Sequence, residues 1–82
     1  MKIYVFTFHT AKNGEFLCAE SRVYKSEEEA MEVFNEWKRE EKQWADEDGW
    51  SIDHNDETYF EASKGFDYCN NHTEGFVEEF EV

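Results

Sequence analysis

The chain has 82 residues, with eight Phe, four Tyr and three Trp, no proline and a net charge of −13. That length fits one domain spanning residues 1–82, and the aromatic content excludes a disordered acidic tail. Residues 43–82 hold twelve acids against Lys64, whereas residues 1–42 hold nine acids against seven bases. Such a charge disfavours direct contact with nucleic acid or membrane headgroups and favours a basic protein surface.

The first apolar run is Ile3 to Phe8, which is too short to span a membrane and lacks the small-residue cleavage site of a secretory signal. We therefore expect a cytoplasmic protein that does not contact a membrane. Cys18 and Cys69 lack metal-binding spacing, so we expect buried thiols.

The N-terminal segment predicts a β-hairpin. Lys2 to Thr10 alternates in the period of two that is typical of a strand, and Phe16 to Tyr24 predicts its returning partner. Between them, Asn13-Gly14 is a strong type I′ turn signal, because both central positions of that turn need a positive φ.

A single long helix follows. Ser26 and Glu29 match a capping box, in which the serine hydroxyl accepts a hydrogen bond from an otherwise unpaired amide. An apolar stripe, interrupted at Glu41, comprises Ala30, Val33, Phe34, Trp37 and Trp44. Because acids are unfavourable at the negative end of a helix dipole, Asp46-Glu47-Asp48 predicts a helix end near Trp44, with Gly49 turning the chain.

The remaining residues predict short antiparallel strands. Trp50 to His54 and Thr58 to Ala62 are two of them, Phe66 to Cys69 is a third candidate, and a last strand follows a turn at Gly75. A hairpin, one long helix and short strands predict an α+β fold with two layers, the helix lying on one face of an antiparallel sheet.

No motif predicts an enzyme or a cofactor. A calcium loop starting at Asp53 fails, because its sixth position is Thr58 instead of glycine and its twelfth is Lys64 instead of glutamate. His9, His54 and His72 lie on separate segments without the spacing of a zinc site, although a convergence of strands with Cys69 or Glu74 stays open. We expect a non-catalytic protein without a bound metal.

Charge and aromatics together predict a protein partner. If a net charge of −11 covers about half of the surface expected for this mass, each charge occupies about 240 Å², roughly twice the area per charge of B-DNA. The acids expected to contact the partner are Asp46, Glu47, Asp48, Asp53, Asp56, Glu57, Glu79 and Glu81. For Asp46-Glu47-Asp48 and for Glu79 and Glu81, the alternative is that these two clusters only solvate a loop and an exposed sheet edge.

The field of acids resembles that of the DNA-mimic inhibitors of phages and mobile elements, which include anti-CRISPR and anti-restriction proteins. The acids that carry this resemblance are Asp46-Glu47-Asp48, Asp53, Asp56-Glu57, Glu61, Asp67, Glu74, Glu78-Glu79 and Glu81. The resemblance implies a soluble, non-catalytic protein that occupies the basic channel of a larger nucleic-acid-binding complex. Separately, we expect a monomer or a homodimer. The alternative function is an accessory or subunit-interface protein, which would use surplus aromatic side chains to bind its partner while charge maintains solubility.

Overall fold

The structure, a computed structural model, describes residues 1–12, 15–64 and 71–82, with the backbone alone described for residues 15–18. It contains one helix on one face of a five-stranded antiparallel sheet with the strand order β2-β1-β5-β4-β3. The elements are β1 (Lys2–Lys12), β2 (Glu15–Tyr24), α1 (Glu27–Glu47), β3 (Ser51–Asn55), β4 (Tyr59–Ser63) and β5 (His72–Glu81). The predicted α+β fold is therefore confirmed.

Several predicted features lie outside the described residues. They are the turn at Asn13-Gly14, the candidate strand at Phe66–Cys69 with Asp67, and the side chains of Cys18 and Cys69. The two strands of the predicted hairpin do pair in antiparallel register, from Tyr4 opposite Tyr24 to Lys12 opposite Glu15.

The two faces of β1 differ in burial. Phe6 and Phe8 are buried beneath α1, where their rings stack at a centroid separation of 5.0 Å. Val5, Thr7 and His9 belong to the opposite face and are only half-buried. The even-numbered residues therefore supply the core, because they bring the larger apolar area under the helix.

The helix begins where the capping pattern predicts. Ser26 has an extended backbone, and its hydroxyl oxygen accepts a hydrogen bond from the Glu29 amide at 3.4 Å. The Ser26 carbonyl also accepts the first helical bond, from the Ala30 amide at 3.2 Å. Both contacts fit an N-cap.

The predicted end of the helix near Trp44 was wrong, because α1 continues to Glu47. Gly49 adopts a φ of 75°, and the Trp50 amide then donates to the Ala45 carbonyl at 2.8 Å. The Trp44 and Trp50 rings meet edge to face at 4.5 Å. This Schellman-type cap with its hydrophobic contact outweighs the few tenths of a kcal/mol that each terminal acid costs.

Gly75 was predicted to close a turn, but it lies within β5. A β-carbon at this position would lie only 2.4 Å from Cζ3 of Trp37. The glycine therefore serves close packing between the helix and the sheet.

The last strand is longer and more central than predicted. β5 runs for ten residues from His72 and pairs with β1 along its length, whereas only its first half, as far as Phe76, pairs with β4. Among the described residues, Glu79 and Glu81 therefore lie where β5 pairs with β1 alone, and the protection of an exposed edge stays an alternative role for them.

Glu41, which interrupts the apolar stripe, has polar partners between the helix and the sheet. Its carboxylate accepts from the hydroxyls of Thr10 at 3.3 Å and Thr73 at 3.4 Å. The hydroxyl oxygens of Thr10 and Thr73 are 3.0 Å apart, and both residues are buried. These bonds offset the cost of placing a carboxylate on the inner face of the helix.

We expect Gly75→Ala to lower the free energy of unfolding by about 1–3 kcal/mol, because the added methyl group would overlap the Trp37 indole. Denaturant unfolding measures the loss. The penalty should shrink in a Trp37→Phe background, where the smaller ring leaves space. An equal penalty in both backgrounds would mean that the indole is not the obstacle.

Ser26→Ala should cost about 1 kcal/mol of stability by removing the acceptor for the Glu29 amide. Ser51→Ala is the matched control, since Ser51 is an exposed strand residue. If both variants unfold at the wild-type denaturant concentration, the cap does not contribute.

Candidate partner-binding surface

The overall charge density is high but does not match that of DNA. The solvent-accessible surface is 5355 Å², which gives about 410 Å² for each of the 13 net negative charges. B-DNA, with one charge per about 1.7 Å of axis, has roughly 110 Å² per charge. Any resemblance to a nucleic acid must therefore come from local concentrations of acids.

The acidic group at the end of the helix is partly used in folding. Asp46 and Glu47 are exposed in the last turn of α1, and Asp48 is its C-cap. The Asp48 carboxylate accepts a hydrogen bond from the Trp50 indole at 2.9 Å and lies 3.9 Å from the Lys64 ammonium. Asp48 thus contributes to the cap as well as to the surface charge.

A second group lies on and beside the β3–β4 hairpin. Asp53 is at an irregularity in the β3 register and accepts from the Ser63 hydroxyl at 2.6 Å. Asp56 and Glu57 are exposed in the connection, where Lys38 donates to the Asp56 carbonyl at 3.1 Å. Asn55, the residue before Asp56, lines one depression with Asp46 and Glu47 of the helix end.

Glu79 and Glu81 lie at the opposite end of the molecule from Asp48. Each meets a cation of the first strand: Lys2 is 3.5 Å from Glu79, and the N-terminal ammonium is 3.7 Å from Glu81. Desolvation raises the pKa of the nearby Tyr4 phenol, and hydrogen bonding to the Glu79 carboxylate adds to the rise. The start of the helix also lies at this end, since Tyr4, Glu27 and Glu79 line one depression.

The structure therefore does not bring the eight predicted acids together. The 21 residues of α1 span about 30 Å, which separates the two terminal groups along a molecule whose longest extent is 42 Å. The acids of the second half of the sequence do not share a face.

A row of glutamates on α1, not anticipated among the contact residues, is more regular. Glu28, Glu32, Glu36 and Glu40 are all exposed and follow one another at four-residue intervals, with a rise of about 6 Å per step. In the described part of the chain, none of these four forms an ion pair within 4 Å. We call these residues the glutamate row.

The two lysines of α1 lie on another side of the helix from Glu36 and Glu40. Lys38 and Lys42 line a depression with Arg39 and with Asn55 of β3, whereas Glu36 and Glu40 line a groove beside β2 that also contains Arg22. Counting charges along the sequence averaged these two sides to near neutrality. The four-residue spacing of the glutamates was the signal that could have identified the row.

The sheet face that α1 does not cover carries two further features. At one end are exposed apolar side chains, with Val23 63% and Phe80 44% exposed. At the other end, His9, His54 and His72 meet Glu61 and Glu74. Three of these residues each place one possible metal-ligand atom within 4.8 Å of the other two: a carboxylate oxygen of Glu61, a carboxylate oxygen of Glu74 and a ring nitrogen of His72. This spacing can hold a metal ion.

Comparisons with protein-family models, with curated proteins and with solved structures find no match for this chain. Within the described residues, no helix is long and apolar enough to cross a membrane.

Replacing Glu32, Glu36 and Glu40 together by Gln should stabilise the protein at low ionic strength, since like charges four residues apart destabilise a helix by about 0.2–0.5 kcal/mol per pair. Thermal melts should show the gain at low salt and its disappearance at moderate salt, which should also raise the wild-type melting temperature. Glu79→Gln is the control, because it removes an acid that is paired with Lys2. A triple variant no more stable than wild type at low salt would mean that the row is not repulsive.

Proposed function

We propose that this protein is a non-catalytic acidic binding protein that docks on a basic surface of a nucleic-acid-binding protein or complex and thereby inhibits or regulates it. The observation that carries this proposal is the glutamate row, which presents carboxylates at regular steps of about 6 Å along an exposed helix. One strand of B-DNA carries one charge per about 3.4 Å of axis, so the row reaches more than half of that linear density.

The row is difficult to explain by stability. Its like charges repel at four-residue spacing, and within the described residues no base lies within 4 Å of them, although Arg22 lines the groove that holds Glu36 and Glu40. Charges retained at a cost to stability indicate a role in binding. The two terminal acidic groups extend the negative field beyond the row, and long-range attraction of this kind accelerates encounter with a basic partner.

A second candidate function is favoured by the apolar end of the uncovered sheet face. Ile3 and Phe80 are directly opposite each other there, as are Val5 and Val23 on the neighbouring strand pair. An accessory protein could pack this surface against a partner, with the charge serving solubility. Such binding would depend on apolar area and would persist in salt.

Retention of proteins from the native host on the immobilised chain, followed by elution, tests the two candidates. Charge mimicry predicts that double-stranded DNA or RNA displaces the partner at constant ionic strength, and that affinity falls steeply with salt. If the retained partner is insensitive to both, mimicry is wrong and the apolar surface becomes the candidate.

The role of the row is tested with the identified partner and two variants of equal charge. The first carries Gln at Glu32, Glu36 and Glu40. The second removes three acids elsewhere, by Asp56→Asn, Glu57→Gln and Glu78→Gln. We expect the first variant to bind at least about tenfold more weakly and with a smaller salt slope than the second. Equal losses would mean that net charge alone matters.

A further inference from the structure

The three histidines of the chain converge on the sheet face that α1 leaves uncovered. In the pairing register, His9 of β1 is opposite Glu74 of β5, Glu74 is opposite Glu61 of β4, and Glu61 is opposite His54 of β3. A single row of His, Glu, Glu and His therefore crosses four neighbouring strands. His72 adds a third imidazole, because it lies two residues before Glu74 and so shares its face.

The centre of this cluster is withdrawn from solvent. The side chains of Glu61 and His72 are nine-tenths buried, and His72 Nε2 lies 2.6 Å from Glu61 Oε2. The other ring nitrogen of His72 lies 3.1 Å from His9 Nε2. Tyr59 donates its hydroxyl hydrogen to the Glu74 carboxylate. The ring orientations are thus held by contacts on several strands.

Glu61 and Glu74 face each other across neighbouring strands, so their two carboxylates require positive charge nearby. Like charges directly opposite in a sheet are destabilising, and burial of Glu61 increases the cost. Each of the three imidazoles has a ring nitrogen within 4 Å of one of these two carboxylates. An imidazole can meet the requirement by holding a proton or by sharing a metal ion with the carboxylates.

Two of the distances are close to those between ligands on a shared metal ion, whereas the 2.6 Å between His72 Nε2 and Glu61 Oε2 is that of a hydrogen bond, which metal binding would replace. In a tetrahedral zinc site with bonds of about 2.1 Å, the ligand atoms are about 3.4 Å apart. His54 Nε2 lies 3.6 Å from Glu61 Oε1, and His9 Nδ1 lies 3.9 Å from Glu74 Oε1. Both separations exceed a good hydrogen bond and are close to the span of two ligands on one metal.

We propose that this cluster binds one divalent transition-metal ion of the zinc class, with Glu61, His72 and Glu74 as its ligands. One oxygen of each glutamate and one nitrogen of His72 lie within 4.8 Å of one another, so closure requires shifts of about an ångström. His9 or His54 completes the coordination, or a water molecule does. Nitrogen donors select zinc-class ions over Mg²⁺ and Ca²⁺, which prefer oxygen ligands.

Titration of the metal-stripped protein with ZnCl₂ in a calorimeter tests the site, in the presence of about a hundredfold excess of Mg²⁺ to occupy weak surface carboxylates. We expect one zinc ion per chain. Glu61→Gln and Glu74→Gln should each weaken binding by at least about tenfold. The matched control is Glu78→Gln, an exposed acid on the same strand and face as Glu74, and it should bind zinc as the wild type does.

Absence of zinc binding, or equal affinity in all three variants, would overturn the proposal and leave a cluster held by protons. Circular dichroism checks that the variants fold. A measurement on the unmodified chain covers the case in which they do not: Co²⁺ added to the wild type should give the visible absorption of a four- or five-coordinate site, and zinc should remove it. A spectrum identical to that of the hydrated cobalt ion would contradict the site.

Discussion

The packing of the Trp37 indole against the backbone of Gly75 sets the distance between the helix and the sheet. This indole lies 5.6 Å from the Phe6 ring, 6.2 Å from Phe34 and 5.9 Å from Phe60, measured between centroids. A glycine in the middle of a central strand removes the side chain that would separate the two layers. The core of this small chain therefore depends on one large ring that contacts bare backbone and joins three strands to the helix.

That packing also decides how charge is distributed around the helix. With Phe34 and Trp37 turned inward, Glu36 and Glu40 lie toward β2 and Lys38 lies toward the β3–β4 hairpin. The lysines of α1 are thus separated in space from Glu36 and Glu40, whose groove contains one base, Arg22. The separation leaves the glutamate row exposed while Lys38 stabilises a turn, and it links the fold directly to the proposed binding surface.

The two faces of the sheet serve different purposes. One face packs an aromatic layer under α1, beside which Thr10, Thr73 and Glu41 hydrogen-bond to one another. The other face is not covered by the helix and holds the buried pair of Glu61 and His72. A small domain gains little stability from a buried ionisable cluster, since desolvation offsets much of the attraction. Because the cluster around Glu61 and His72 adds little to stability, a bound ligand is the better explanation for it.

The sequence by itself determined the hairpin strands, the helix start at Ser26 and the α+β class, because each follows from local periodicity or capping chemistry. It misplaced the helix end because a local cap, closed by the Trp44–Trp50 ring contact, outweighs the terminal acids, and it misplaced Gly75 because the Trp37 ring that packs on this glycine comes from a distant segment. The alignment of His9, Glu74, Glu61 and His54 across four strands depends on tertiary structure alone. Strand order and register bring such residues together, and neither is encoded in the local spacing of a chain.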